Sequence, residues 1–408
     1  MDSILGFRSA KNLQGDEPLM SNLGKKKTKV LLWHWGRRGG GPRYTFELAR
    51  ALAQRSEMEV HLSLSRQSEI FAEFAALGLP SCDVDTYHDK LSALLATPRI
   101  VSLRRRLARY VRENRIHVVH CTMSHLWNLA VIPALRAAGA KYVLTLHEAV
   151  PHPGEGYGVR RWMLAHEAAL ADGIVTLSEH VRDQVVELHG YPPERCWVVP
   201  HGVFPYASSE KPRSYPSARP FRLLFFGRLR PYKGLDLLYS AFSELRSQFP
   251  GIELTIAGSG RLASSRLDGI EGVRVDNRWI PEEEVGEFFA AADLVVLPYT
   301  EASQSGVIPA AYPSGLPVVA TPVGGLPEQV KRGETGLLAT ETTAEAVAAA
   351  IAKLIRDPEL YERCSAGALR YAKEDLSWRV IAERICEVVR TVAHAPEPPA
   401  HPRPTGHQ

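Results

Sequence analysis

At 408 residues the chain is long enough for two domains that each bury a core, and its 45% hydrophobic and 23% charged content is that of a soluble globular protein. A formal charge of +4 is too mild to mark a nucleic-acid binder, and five scattered cysteines without a C-x-x-C pair suggest neither a zinc site nor a disulfide framework. No apolar run approaches the roughly 18 residues that span a bilayer and the first residues lack a secretory core, so the expected location is cytoplasmic, with peripheral contact at the inner face of a membrane left open.

Residues 1–27 are polar, end in Lys25, Lys26 and Lys27, and lack periodicity, which predicts a disordered arm. From residue 28, apolar runs at 30–33, 60–64, 116–120 and 142–146 alternate with helical patterns at 44–54, 69–77, 126–138 and 159–170. Further apolar runs lie at 174–177 and 197–199. Continuous apolar strands between amphipathic helices predict an α/β fold with a parallel sheet covered on both faces, here a first domain over 28–203. Between two of these units, the helix at 99–115 carries Arg105, Arg109 and Arg112 on one face and Leu103, Leu107, Tyr110 and Val111 on another. That basic face is either an ordinary solvated surface or a docking face for an anionic membrane.

Four prolines in 204–220 predict a linker. A second βα series follows over 221–375, beginning with a strand at 221–226 and a helix whose Leu235, Leu238, Phe242 and Leu245 fall at helical spacing. Strands at 252–257, 294–298 and 317–321 continue it. A last amphipathic helix is expected over 376–392, and a disordered tail over 393–408.

Three loops carry residues suited to binding an anion or a sugar. Ser303, Gln304, Ser305, Gly306 and Val307 follow a strand and open a helix, where backbone N–H groups and the positive end of the helix dipole attract negative charge. An ordinary strand-to-helix turn is the alternative. Arg228 and Lys233, in the run from Gly227 to Gly234, flank a phosphate-sized turn and together can neutralise a departing diphosphate without a metal ion. In the first half, Gly39, Gly40 and Gly41 allow close backbone approach after the first strand. A dinucleotide fingerprint is disfavoured there, because G-x-G-x-x-G is not matched in order and no acidic residue ends the next strand near Leu64.

The second half resembles the donor domain of the retaining GT-B glycosyltransferases of family 4. The resemblance rests on G-R-x-x-x-x-K-G at 227–234, A-D-L-V-V-L-P at 292–298, S-G-x-P-V-V-A-T at 314–321, V-G-G-L-P-E at 323–328 and G-E-T-G-L-L at 333–338. It implies two Rossmann-like βαβ domains facing a central cleft, with a nucleotide-diphosphate sugar on the second domain and a hydroxyl acceptor on the first. No cofactor is implied. Trp279 and Ile280 would border the nucleotide base, the last helix would cross back to the first domain, and His147 would lie in the cleft beside the donor sugar. Glu148 is expected to cap a helix, and Pro200-His201-Gly202-Val203 resembles the family's P-N-G-V turn.

One departure stands out. The family's loop carries two glutamates eight positions apart, for the donor sugar and the ribose; counted back from Gly315 they fall on Ala302 and Ala310. Glu301, one residue early, is the candidate for the first role, and Ser303, Gln304 and Ser305 are the polar candidates for the second. The expected activity is hexosyl transfer in cell-surface glycan, lipid-linked saccharide or glycolipid synthesis. The alternatives are a sugar-nucleotide epimerase or hydrolase on the same fold, or a non-catalytic nucleotide-sugar binder.

Overall fold

The computed structural model describes residues 27–87, 92, 97–151, 157–260 and 270–396. The expected amino-terminal arm up to residue 26 and the tail from residue 397 lie outside them. The first half contains β1 (Thr28–His34), α1 (Gly40–Ala53), β2 (Met58–Leu64), α2 (Phe71–Ala76), α3 (Ile100–Asn114), β3 (Val118–Cys121), α4 (Asn128–Ala137), β4 (Lys141–Leu146), α5 (Tyr157–Leu170), β5 (Gly173–Thr176), α6 (Glu179–His189) and β6 (Cys196–Val198). All neighbours in its six-stranded sheet are parallel, in the order β2-β1-β3-β4-β5-β6.

The apolar runs are continuous because both faces of this sheet are covered. Alternate residues of each strand point to opposite faces. Leu31, Trp33, Val119 and Tyr142 accordingly join one core with α3, α4 and α5. Val30, Leu32, Val118 and Val143 join another with α1.

The second half contains β7 (Arg222–Phe226), α7 (Leu235–Gln248), β8 (Glu253–Ala257), β9 (Val273–Asp276), α8 (Glu282–Ala291), β10 (Leu294–Leu297), α9 (Val307–Ala311), β11 (Val318–Ala320), α10 (Leu326–Gln329), β12 (Gly336–Leu338), α11 (Ala344–Arg356), α12 (Pro358–Glu374) and α13 (Trp378–His394). Its parallel sheet runs β12-β11-β10-β7-β8-β9. Helix α13 returns to the first half, where Trp378, Ile381, Ile385, Val388, Val389 and Val392 pack beside α1 in the core under β1 and β3. It runs to His394, so the first two residues of the expected tail are helical. The chain is therefore an α/β protein of two Rossmann-like domains.

The proline-rich stretch 204–220 is bound to the second domain. Arg213 donates to the carbonyls of Phe289 and Ala292, which the end of α8 leaves unpaired, and to that of Ser314 before β11, all at 2.7–2.9 Å. Tyr215 OH donates to Ile355 O at 2.6 Å. The crossover back is fastened as well: Trp378 Nε1 donates to Val203 O at 2.7 Å, and its ring leaves no room for a Cβ at Gly202. Among the described residues no helix is long and apolar enough to cross a membrane.

Candidate active site

Residues beyond the carboxyl ends of β1, β3 and β4 in one sheet, and of β7, β8 and β10 in the other, line a single cavity of about 930 Å³ between the domains. Such a crevice outside the strand ends is where ligands bind in open α/β sheets. The second-domain wall includes Arg228, Lys233, Trp279, Ile280, Ser303, Gln304, Ser305, Gly306 and Val307. The first-domain wall includes Gly39, Gly40, Gly41 and His147.

Two glycines shape the second-domain wall. Gly258 has φ +143°, and a Cβ there would sit 1.8 Å from the carbonyl oxygen of Gly227. Gly234, at φ +69°, opens α7 with a would-be Cβ 1.8 Å from Pro298 O. Only glycine permits these approaches, which bring the loop carrying Arg228 and Lys233 against the ends of β8 and β10. Lys233 Nζ lies 3.6 Å from the ring centroid of the buried Tyr299, a cation–π contact that ties the cation to the strand leading into the 303–307 loop. Tyr299 OH in turn meets Ser305 Oγ at 3.3 Å.

The loop differs from the sequence expectation in two respects. Glu301 is exposed and does not line the cavity, because the chain passes position 301 on the solvent side before turning inward at Ala302 and Ser303. The Ser305 amide is engaged: it donates to Gln329 Oε1 at 2.7 Å, while Gln329 Nε2 donates to Ser305 O at 3.1 Å. The anion site expected at the 305–307 amides is thereby reduced, and α9 is only five residues long, so Arg228 and Lys233 bring most of the positive charge to this wall. Ala310 lines the cavity, placing a methyl group where the family's second glutamate would stand.

On the opposite wall, His147 closes β4. Its Nε2–H donates to Thr122 O at 2.9 Å, which leaves Nδ1 as an acceptor. Burial lowers its pKa, so the ring is neutral near pH 7. The ring edge-packs with Tyr44, which also meets His201 and Trp378 at centroid distances of 5.1 and 5.2 Å. His201 belongs to the interdomain crossover; its Nδ1–H donates to Gly202 O at 2.6 Å, and burial pushes its pKa down to about 3. In the glycine loop, the Gly39 N–H is taken by Glu69 Oε1 at 2.6 Å and is not offered to a ligand. Gly41 gives close approach, since a Cβ there would meet His34 and Met123 at about 3 Å. Glu148 lines the cavity and pairs with Arg160 at 2.5 Å. Arg105, Arg109 and Arg112 lie on the exposed face of α3 and do not line the cavity.

Several contacts across the cleft have no signature in the sequence. Glu328 accepts from the amides of Glu179 at 2.6 Å and His180 at 2.8 Å, so a second-domain carboxylate satisfies the amino-terminus of first-domain helix α6. Ser178, the N-cap of α6, donates to Ser303 O at 3.0 Å. Arg43 pairs with Glu282 across the same cleft. Ser178 followed by a helical pattern is a readable cap signal, but nothing local identifies its partner.

Comparison with known proteins agrees with this architecture. Residues 38–205 match the family described as Glycosyltransferase Family 4, and residues 220–357 the one described as Glycosyl transferases group 1. The chain is 29% identical over 299 residues to a glycogen synthase of Mycobacterium tuberculosis, an alignment covering 68% of this chain and 69% of that protein. It is 26% identical over 384 residues to the GDP-mannose-dependent alpha-(1-6)-phosphatidylinositol monomannoside mannosyltransferase of Mycolicibacterium smegmatis, covering 86% and 95%. The crystal structure of Anabaena HepE in complex with UDP and glucose superposes with a TM-score of 0.70 at 19% identity, over 89% of this chain and 100% of that one, which establishes the shared GT-B fold. With both domains matched and the cleft assembled between them, the chain belongs to the family 4, group 1 glycosyltransferases.

Proposed function

We propose that this enzyme transfers a hexosyl group, with retention of anomeric configuration, from a nucleotide-diphosphate sugar on the second domain to an acceptor hydroxyl on the first. The observation that carries this reading is the pair of cations, Arg228 and Lys233, on one wall of the cavity that has His147 on the other. When the anomeric C–O bond breaks, its electron pair passes to the diphosphate, and the two cations stabilise charge that grows toward the transition state. The acceptor hydroxyl attacks the face the diphosphate leaves, and its proton passes to the departing phosphate oxygen. Neutral His147, with Nδ1 accepting, orients a sugar hydroxyl. Trp279 and Ile280 border the base. No metal ion or cofactor takes part, the cations supplying the charge that a metal would bring.

The related mannosyltransferase is named for a GDP-mannose donor and the HepE crystal holds UDP, so the base is decided by experiment. Thermal shift with uridine and guanosine diphosphates and their sugars, in EDTA, should single out one nucleoside. Sugar transfer with that donor should then fall steeply in Arg228→Ala; normal turnover in that variant would sink the assignment. The methyl group of Ala310 favours a second reading, a non-catalytic nucleotide-sugar binder, which requires nucleotide binding without transfer or hydrolysis. Free sugar released without acceptor would instead mark a hydrolase. The exposed arginine face of α3 supports peripheral contact with anionic membrane; Arg105→Glu with Arg109→Glu should abolish co-sedimentation with phosphatidylserine vesicles.

A further inference from the structure

Between β6 and β7 the chain crosses from one domain to the other, and Phe204, the first residue of the proline-rich stretch, is 4% exposed and belongs to the second-domain core. It also lines the cavity. Its N–H donates to Pro309 O at 3.0 Å, and the N–H of Val203 before it donates to Leu376 O at 3.0 Å. The backbone is thus fastened to α9 on one side and to the returning crossover on the other. The ring packs against His201 at a centroid distance of 4.6 Å and stacks on Tyr206 at 5.3 Å, with 25° between the planes. Held in this way, it reaches both walls of the cleft. A Cβ on Gly40 would stand 3.4 Å from Phe204 Cζ, and one on Gly306 would stand 3.6 Å from Cε2, the neighbouring atom on the same ring edge. Gly40 belongs to the first-domain glycine loop and Gly306 to the 303–307 loop, so one ring occupies the space between loops of opposite walls. Neither glycine has a positive φ, so backbone conformation does not require glycine at either place; a side chain larger than a methyl group would collide with the ring.

We propose that Phe204 is a positioning residue that sets the separation of the two glycine loops and keeps water out of the space between them. The inference rests on the transfer reading above and adds the group that protects the donor from water. An aromatic ring has only two side-chain torsions and a rigid frame, so it fixes a distance that a flexible side chain would not. Because the ring lines the cleft, the space vacated by a shorter side chain joins the cleft and is wetted, unlike a sealed apolar void, which stays dry. Water admitted there stands beside the 303–307 loop and can take the place of the acceptor hydroxyl. Its oxygen then bonds to the anomeric carbon as the C–O bond to the diphosphate breaks. The electron pair of that bond passes to the diphosphate, the proton of the water goes to the departing phosphate oxygen, and the products are free sugar and nucleoside diphosphate.

The test is release of nucleoside diphosphate by the full-length protein, without acceptor, from the uridine or guanosine diphosphate sugar that gives the largest thermal shift. Wild-type release should be slow. Phe204→Leu removes the ring edge that reaches Gly40 and Gly306 and should raise release about tenfold, while calorimetric affinity for the nucleoside diphosphate stays within about twofold. Loss of stability alone would lower release, not raise it. Adding Gly40→Ala to Phe204→Leu puts a methyl group into the vacated space and should bring release back toward the wild-type rate, a compensation between neighbours that a double-mutant cycle measures. If Phe204→Leu does not fold, Phe204→Met, which fills the core without a rigid ring, is read in its place with a rise again expected. Fast release by the wild-type chain, release unchanged or lowered in a folded Phe204 variant, or a rise that Gly40→Ala leaves in place would each overturn the proposal. A wild-type chain that binds no nucleoside diphosphate and none of the nucleotide sugars would remove the transfer reading, and this inference with it.

Discussion

Acidification tests the interior directly, because three fully buried histidines, His34, His120 and His201, are held well below the usual imidazole range. His34 and His201 are held down to a pKa of about 3 and His120 to about 4, each chiefly by burial. All three are neutral in the folded protein at pH 5, whereas in the unfolded chain they titrate near 6.5 and take up protons below that value. The unfolded state therefore binds more protons, and stability falls as pH drops from 6.5 toward 4. For each histidine the loss between pH 7.5 and 5 is about 2 kcal/mol, so together they contribute roughly 6 kcal/mol, a large fraction of the 5–15 kcal/mol typical of a domain. Glu47 and Glu167 oppose this: burial raises both carboxyls, so acidification regains some stability there. A difference measurement isolates the histidine part. Urea unfolding at pH 7.5 and 5, followed by tryptophan fluorescence, should show wild-type protein losing about 2 kcal/mol more than His201→Asn across that interval. Identical pH dependence in the two proteins would refute the account.

Removing either cation of the donor wall should spare the fold and damage the chemistry. Arg228→Ala is expected to lower kcat by about 10²–10³ with an unchanged unfolding midpoint, as for loss of one preorganised donor to a developing oxyanion. Gly202→Ala places a Cβ 2.6–2.8 Å from three atoms of the Trp378 ring and should destabilise by about 1–3 kcal/mol, read from thermal unfolding; an unshifted Tm would mean that the crossover yields easily. Glu328→Ala strips the amides of Glu179 and His180 of their partner and should cost about 1 kcal/mol in urea titration. It should also raise the donor KM, because Ser178 in the same contact holds Ser303. Saturating EDTA should leave transfer intact, and activity restored only by added divalent metal would overturn the metal-free mechanism.

The strands that were legible are those whose burial is written locally. Val30, Leu31, Leu32 and Trp33 form an unbroken apolar run because α1 and α13 cover one face of β1 while α3, α4 and α5 cover the other. The edge strands β9 and β12 escaped notice for the converse reason. Val273-Arg274-Val275-Asp276 has partly exposed or exposed side chains throughout, and Gly336-Leu337-Leu338 is too short for a periodicity to develop. In the site, glycine-bounded turns and strand ends identified Arg228, Lys233 and the 303–307 loop as residues that reach one crevice, since a parallel sheet sends all its strand ends to one edge, and the family resemblance added His147.

What the residue order determined by itself was thus the alternation of elements, the restart after the prolines, and the edge of each sheet that carries chemistry, all consequences of backbone geometry and burial over a few turns. The tertiary structure alone decided which groups remain available there. Glu301 turns outward, Gln329 takes the Ser305 amide from 24 residues away, Glu69 takes the Gly39 amide, and Glu328 reaches an amide 149 residues distant. Each of these is a hydrogen bond or an orientation set by how helices and loops pack in space, and such pairing leaves no periodic trace along the chain.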